Sequence, residues 1–176
     1  MPFDLQPTLK GKLVELRPLR PDDFDALYAV ASDPLIWEQH PASDRYEEPV
    51  FRDFFAGALA SGGAFLVLDS KTGHVIGSSR FHALDEAKSD VEIGWTFLAR
   101  SCWGGAYNAE MKRLMLEHAF GFVRSVYFRV GRYNVRSQRA LEKIGAVQVA
   151  GPNAEGNVVF RITPEAFAQG SEQSRV

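Results

Sequence analysis

The sequence has 176 residues, 45% of them apolar and 24% charged, as in an ordinary globular protein long enough to bury a core. Its formal net charge of -2 gives no reason to expect a nucleic-acid partner, and no apolar run approaches the length of a membrane span. The single cysteine, Cys102, excludes an internal disulfide and fits a cytoplasmic protein without a signal peptide, and the scattered histidines predict no metal site.

Hydrophobic periodicity and turn residues predict alternating strands and helices in a single domain over residues 1–168. The polar residues 169–176 are expected to form a disordered tail. In chain order, the predicted elements are a strand over 9–19, a helix from Pro21, a turn-rich stretch over 33–49, a helix over 48–60, strands over 64–69, 74–83 and 90–98, a helix over 108–124, a strand over 126–130, a helix capped by Asn134, and strands over 146–150 and 157–162.

The strand over residues 90–98 alternates apolar residues with small and acidic ones, which is typical of a strand buried on one face. This alternation predicts Val91, Ile93, Trp95 and Phe97 on one face and Glu92, Gly94, Thr96 and Leu98 on the other. Glu92 would then lie beside residues that leave space around its carboxylate.

A turn of small residues joins this strand to the helix over 108–124. Gly104, Gly105 and Ala106 would let a ligand approach the backbone closely, and the first turn of the helix would present free N–H groups and its positive dipole end. We therefore expect an anion site suited to a phosphate or pyrophosphate, with the Glu110 carboxylate turned away from it. The turn matches neither the GxxxxGK[ST] nor the GxGxxG nucleotide fingerprint.

Three segments resemble motifs of the GNAT acetyltransferase superfamily, and more narrowly the branch of ribosomal-protein N-terminal acetyltransferases and related small-amine acetyltransferases. Glu92-Ile93-Gly94-Trp95 is similar to the fourth strand of the family. Residues 102–110 are similar to its pyrophosphate loop, which in the branch is often Tyr-Trp-Gly-Lys-Gly-Tyr-Ala-Thr-Glu. Asn134-Val135-Arg136-Ser137, followed by Ala140, Lys143 and Gly145, is similar to its last helix. The resemblance implies an α+β GNAT fold over about residues 10–163. Its mixed, mostly antiparallel sheet would have about six to seven strands, flanked by about four helices and splayed at the fourth and fifth strands.

The resemblance also implies direct transfer of the acetyl group of acetyl-CoA to a primary amine, either a protein N-terminus or a small molecule. Glu92 matches the general-base position of histone-type members, and Ser137 is the candidate donor to the leaving sulfur. An α-amine, with a pKa of about 7.7–8.0, asks less of a base than a lysine, with a pKa of about 10.4. The residues implied to hold acetyl-CoA are Phe97, Leu98, Trp103, Gly104, Gly105, Ala106, Tyr107, Asn108, Asn134 and Ser137.

The sequence departs from the pattern of the branch at three places. Gly105-Ala106 stands where Lys-Gly is usual, Asn108 where Gly or Ala is common, and Leu141 where many members carry a tyrosine general acid. A thiol has a pKa of about 8.5, so the leaving thiolate needs little help from an acid. The missing tyrosine therefore need not abolish activity.

The turn-rich stretch over 33–49 lies where this family builds the wall of its acceptor site. Trp37, His40 and Tyr46, with Arg45 between them, are the candidate acceptor-binding residues, and a solvated loop is the alternative interpretation. The candidate cofactor and catalytic residues also have ordinary alternatives: an ion pair for Glu92, a helix cap for Asn134, and packing for Ser137, Trp103 and Tyr107.

Two other functions stay open at this point. One is a CoA-binding GNAT domain without turnover that serves as a sensor or an interaction module, and the other is an enzyme that binds a different nucleotide at the turn. The sequence also leaves open the acceptor, the acyl chain length, the effect of Gly105, Ala106 and Asn108 on CoA binding, and the oligomeric state, for which a homodimer is common among relatives.

Overall fold

In the computed structural model, which describes residues 2–173, the chain forms one eight-stranded sheet and five α-helices. The strands are β1 (Leu9–Lys10), β2 (Val14–Pro18), β3 (Ala64–Asp69), β4 (Val75–Asp85), β5 (Asp90–Leu98), β6 (Ser125–Gly131), β7 (Val147–Ala150) and β8 (Asn157–Ile162). The helices are α1 (Phe24–Ala31), α2 (Glu48–Ser61), α3 (Ala106–Ala119), α4 (Val135–Lys143) and α5 (Pro164–Gln173). The sheet order is β1-β2-β3-β4-β5-β6-β8-β7, with β5 and β6 parallel and every other neighbouring pair antiparallel.

The first expected strand, over 9–19, is divided into β1 and β2, which raises the strand count to eight. The N–H of Gly11 donates to the carbonyl of Val14 at 2.8 Å and closes the turn between the two strands. The Glu110 carboxylate in α3 accepts from the three consecutive N–H groups of residues 12–14 at 2.7–2.9 Å. Glu110 therefore points away from the N-terminal end of α3, as expected, and ties the turn to that helix.

Both faces of the sheet are covered, so the core forms two clusters. On one face α3 contributes Met111 and Met115 to a cluster that also contains Val91 and Ile93 of β5. On the other face α1 and α2 form the second cluster, which includes Phe51. This arrangement makes β5 a central strand with buried side chains on both faces.

A bulge in β5 lies at Trp95, where φ is +51°. Gly94 pairs with Arg80 of β4 whereas Phe97 pairs with Ser78, so three steps along β5 match two along β4. The extra residue reverses the alternation of the rest of the strand, as bulges do.

The expected faces of β5 are therefore wrong beyond Gly94, because a period of two assumes an unbroken pleat. Phe97 lies in the cluster beneath α1 and α2, Leu98 lies in the cluster beneath α3, and the Thr96 hydroxyl meets that of Ser79 at 2.8 Å. One face holds Glu92, Gly94, Trp95 and Phe97, and the opposite face holds Val91, Ile93, Thr96 and Leu98.

The sheet opens between β5 and β6. Their parallel pairing covers only residues 90–92 of β5 against residues 125–127 of β6. From Ile93 to Leu98, β5 has no pairing with β6, while β6 stays paired with β8 along its length. This opening is the expected splay, displaced by one in strand number because β1 and β2 are separate.

Two helical segments differ from the expected bounds. α3 ends at Ala119 rather than near 124, because the chain turns at Gly121 although apolar residues continue. α5 was not expected, and it places residues 169–173 in a helix rather than in a disordered tail. Residues 174–176 of that expected tail lie outside the described part of the chain. No helix within the described residues is long and apolar enough to cross a membrane.

Candidate active site

The turn between β5 and α3 presents a row of free backbone donors. The N–H groups of the five consecutive residues 104–108 make no hydrogen bond with any residue in the described range 2–173. Gly105 is the N-cap of α3, and no side chain caps this end. A Cβ added at Gly104 or at Gly105 would meet nothing within 4 Å. The turn therefore presents open backbone donors of the kind with which helix N-termini bind anions.

A cavity of about 620 Å³ runs from this turn through the opening between β5 and β6. The candidate residues that line it are Trp37, His40, Phe97, Leu98, Trp103, Gly104, Gly105, Asn108, Asn134 and Ser137. The candidates that do not line it are Tyr46, Glu92, Ala106 and Tyr107. The fold thus brings most of the candidates to one space from three segments of the chain, residues 37–40, 97–108 and 134–137.

Aromatic side chains hold the turn in place. The indole N–H of Trp103 donates to the carbonyl of Leu98 at 2.9 Å, and the Arg136 guanidinium lies 3.5 Å from the centroid of the indole. The Tyr107 hydroxyl donates to the Asp69 carboxylate at 3.0 Å. Trp103 therefore forms part of the cavity wall, while Tyr107 fixes the start of α3 against the end of β3.

The beginning of α4 forms the opposite wall. Asn134 is buried, and its side-chain oxygen accepts from the N–H of Ser137 at 3.3 Å, so it acts as the N-cap of α4. Ser137 lines the cavity, and its hydroxyl makes no hydrogen bond with a described residue. Leu141 is buried in the same wall and offers no hydroxyl.

Lys112 is a functional candidate that the sequence analysis missed. It is 8% exposed and lines the cavity, with its ammonium 3.0 Å from the side-chain oxygen of Asn108, one helical turn earlier, and 5.9 Å from the ring centroid of Phe128. Burial lowers the pKa of Lys112 to about 8. The four-residue spacing places Lys112 on the same face of the helix as Asn108, and this was the signal that could have identified it. A lysine on a helix is ordinarily exposed, however, so the spacing alone does not predict a buried ammonium.

Glu92 lies beside the cavity, just outside its lining. It is 8% exposed, and its carboxylate is 3.3 Å from Nε of Arg129, which does line the cavity. Burial raises the pKa of Glu92 above its ordinary value, and the charge of Arg129 acts in the opposite direction. A Cβ added at Gly94 would lie 3.7 Å from Glu92 Oε1, so the absence of a side chain at Gly94 leaves space next to the carboxylate.

The turn-rich stretch closes the other end of the cavity. Trp37 is almost fully buried, with its indole N–H bonded to the carbonyl of Ala31 at 2.8 Å. Nδ1 of His40 accepts from the N–H of Ala42 at 2.9 Å, so the neutral ring carries its proton on Nε2. Burial, reinforced by the charge of Arg45, lowers the pKa of His40 to about 4. His40 is thus a neutral donor at pH 7 rather than a base.

Arg45 and Arg80 stack on aromatic residues that line this end of the cavity, although neither arginine is itself part of the lining. Arg45 lies 5.6 Å from the ring centroid of Trp37, and Arg80 lies 4.3 Å from that of Trp95. Sequence analysis placed Arg45 in the acceptor wall but missed Arg80, because alternation on a strand does not show which polar face another element will cover. Tyr46 lies further out, where its carbonyl accepts from the Tyr28 hydroxyl at 2.8 Å.

This fold and site define a GNAT-type α+β acetyltransferase. Residues 14–147 match the family model of the acetyltransferase (GNAT) domain, so the chain belongs to the GNAT acetyltransferase family. No curated protein sequence matches the chain.

Solved structures agree with this assignment. One from T. thermophilus, solved as a candidate acetyltransferase, is 28% identical, with a TM-score of 0.75 over 94% of this chain and 96% of that one. A GCN5-related N-acetyltransferase from Brucella melitensis is 19% identical, with a TM-score of 0.81 over 99% of this chain and 86% of that one. Mycobacterium smegmatis RimJ, solved in complex with CoA-disulfide, is 18% identical, with a TM-score of 0.73 over 96% of this chain and 94% of that one. The last two show similarity of fold alone.

Proposed function

We propose that this protein is an N-acetyltransferase that moves the acetyl group of acetyl-CoA directly to a primary amine, on a protein N-terminus or a small molecule, within a ternary complex. The observation that carries the proposal is the run of five unpartnered N–H groups over residues 104–108, at the mouth of the opening between β5 and β6. Backbone donors at a helix N-terminus suit the pyrophosphate of CoA.

The rest of the cavity suits the remainder of the co-substrate. The part of β5 that is not paired with β6 ends at Phe97 and Leu98. It offers backbone groups to the amides of the pantetheine arm. Asn108 and Lys112 add a side-chain amide and an ammonium to the same wall, and Trp103 and Asn134 bound it. Asn108 and Lys112 would thus supply polar contacts near the turn, where Gly105 replaces the usual lysine of the loop.

Glu92 is the proposed general base. The acceptor nitrogen must lose a proton to attack the thioester carbonyl carbon, and Glu92 would take that proton directly or through one water. The ion pair with Arg129 keeps the carboxylate oriented, while burial raises its pKa and therefore its basicity. The carbon–sulfur bond then breaks, and the CoA thiolate leaves with hydrogen-bond help from the Ser137 hydroxyl.

Turnover tests this proposal. We expect the purified protein to release free thiol from acetyl-CoA when it is given an amine, and to do so in proportion to the acetylated amine found by mass spectrometry. The panel should contain peptides with free N-termini, polyamines, amino sugars and amino acids. Binding of acetyl-CoA without acetylation of any amine in the panel would contradict the enzyme proposal and favour a binding domain.

A further inference from the structure

Arg45 and Arg80 approach one another across a single ring on the acceptor side of the sheet. The Cζ atoms of Arg45 and Arg80 lie 4.9 Å and 5.7 Å from the ring centroid of Phe54 in α2. Arg80 also lies over Trp95, and Arg45 over Trp37, and both of these aromatic residues line the cavity. The two cations therefore adjoin the wall against which an acceptor would bind.

Neither guanidinium forms an ion pair with a described residue, although the charge of Asp44 acts on that of Arg45. Within residues 2–173 no carboxylate oxygen lies within 4.0 Å of either side chain, and neither side chain makes a hydrogen bond. Glu92, on the same face of the sheet, is paired with Arg129 instead. Arg45 is only partly buried, whereas Arg80 is buried. An unmatched cation such as Arg80 is unusual, because buried charges are ordinarily paired and buried donors ordinarily bonded.

Of the two arginines, Arg80 has the larger free-energy cost of burying its charge. It is 6% exposed, and its Nε is fully shielded with no hydrogen-bond partner in the described part of the chain. Its two terminal nitrogens are not fully shielded, although Arg80 is not itself part of the cavity lining. Burial, together with the charge of Arg45, lowers the pKa of Arg80 to about 10, and burial also lowers the pKa of Arg45. Both residues stay charged at pH 7.

We propose that Arg45 and Arg80 bind an anionic group on the acceptor, and that the acceptor is an amine that carries a carboxylate. Guanidinium groups present forked donors that match a carboxylate, which would supply the missing partner for both cations. The acceptor would thus be held at its anionic end by the arginines, with its amine free to reach the thioester. This inference rests on the proposed function and specifies the class of its acceptor.

Matched acceptors test the inference. Amino acids with aliphatic, aromatic and acidic side chains should each be compared with their C-terminal amides, using kcat/KM from thiol release. We expect the acid to exceed its amide by tenfold or more for the best acceptor, although the amide carries the less basic amine and therefore has the larger unprotonated fraction at neutral pH. Equal values for acid and amide across the panel would overturn the inference.

Variants assign the effect to the two arginines. Arg80→Met, and separately Arg45→Gln, should reduce the ratio of acid to amide at least tenfold, while the KM for acetyl-CoA stays unchanged. The matched control is Arg124→Met, since Arg124 is exposed and outside the cavity lining. An unchanged ratio in both Arg80→Met and Arg45→Gln would overturn the inference.

The melting temperature of Arg80→Met is a second test, because a binding role and a structural role for Arg80 predict opposite changes. Because Arg80 is a buried cation without an anionic partner, Arg80→Met should melt at the same temperature as the parent protein or higher. A large fall in the melting temperature would assign Arg80 to the fold and contradict the inference.

Two further experiments distinguish an anion on the acceptor from an anion on the acyl donor, and from a protein without turnover. If succinyl-CoA is preferred over acetyl-CoA through Arg80, the anion belongs to the donor and the inference is wrong. If no amine is acetylated, the proposed function fails, and calorimetry decides the inference by itself. N-acetyl-leucine should then bind the CoA-loaded protein at least tenfold more tightly than N-acetyl-leucinamide, and equal binding would overturn the inference.

Discussion

The two ends of the cavity are built by different means. At the end nearest α3, the chain offers backbone N–H groups from one continuous turn over residues 104–108. At the other end, side chains from the turn-rich stretch, α2, β4 and β5 meet, and they include Trp37, Arg45, Arg80 and Trp95. Backbone donors are retained whatever side chains surround them, whereas the chemistry of the side-chain end changes with each substitution there.

The largest expected effect is on kcat, and it comes from substitution of Glu92, the proposed general base. Glu92→Gln should lower kcat by a factor of about 10² to 10⁴, the range that general bases contribute, with the affinity for acetyl-CoA unchanged. Steady-state kinetics and calorimetry measure the two quantities. Glu117→Gln, on the exposed face of α3, is the control and should behave like the parent protein. Full activity in Glu92→Gln would remove the base from the mechanism.

The next effect tests the backbone end alone. Gly105→Leu should weaken acetyl-CoA binding about tenfold or more, because a side chain there would enter the space next to the free donors, and its Cβ would meet no protein atom within 4 Å. Gly57→Leu is matched to it, since a Cβ at Gly57 in α2 also meets nothing within 4 Å. Unchanged affinity in Gly105→Leu, measured by calorimetry, would mean that the pyrophosphate does not bind at this turn.

A smaller effect is expected from the buried ammonium of Lys112. Lys112→Met should raise the free energy of unfolding at pH 7 by on the order of 3 kcal/mol, because it removes a buried charge whose pKa is lowered to about 8. Below pH 8 both the folded and the unfolded parent are protonated at this site, so the whole penalty is present. Between about pH 8 and 10.5 only the unfolded parent keeps the proton, so the parent gains stability and the advantage of the variant shrinks.

Denaturant unfolding at pH 7 and at pH 10 checks this dependence. Lys71→Met is the control, because Lys71 is exposed in the turn after β3. A variant that is less stable than the parent at pH 7 would show that Lys112 is stabilising where it lies.

The smallest effect sharpens the description of β5. Ser79→Ala removes the hydrogen bond between the Ser79 and Thr96 hydroxyls and should cost about 1 kcal/mol of stability. Ser70→Ala removes an exposed hydrogen bond and serves as the reference, with a smaller cost. If Ser79→Ala costs no more than Ser70→Ala, the bulge at Trp95 does not place Thr96 against Ser79.

The same contrast explains how far the sequence alone could lead. The strand, the turn at Gly104 and Gly105 and the following helix are contiguous, so their pattern predicts both the elements and the anion site. The reversal of Trp95 and Phe97 was missed because a bulge leaves no mark in apolar alternation. Other features depended on contacts between distant segments.

Arg80 and Lys112 illustrate that dependence. Arg80 falls between Ser78 and His82 on what reads as the polar face of a strand, and only the packing of α2 and the turn-rich stretch buries it. Lys112 is buried by the position of α3 against the opening of the sheet and by Phe128 of β6. The elements that bury Arg80 and Lys112 are distant from them in sequence. The local pattern of apolar and polar residues therefore could not predict their burial.

Calorimetric titration of the protein with acetyl-CoA, with ADP as the control ligand, tests the central claim most directly. We expect saturable binding near one acetyl-CoA per chain and much weaker binding of ADP, because the opening between β5 and β6 would add contacts with the pantetheine arm to those of the turn. Absence of acetyl-CoA binding, or equal binding of ADP, would contradict the claim that this cavity is built for an acyl-CoA.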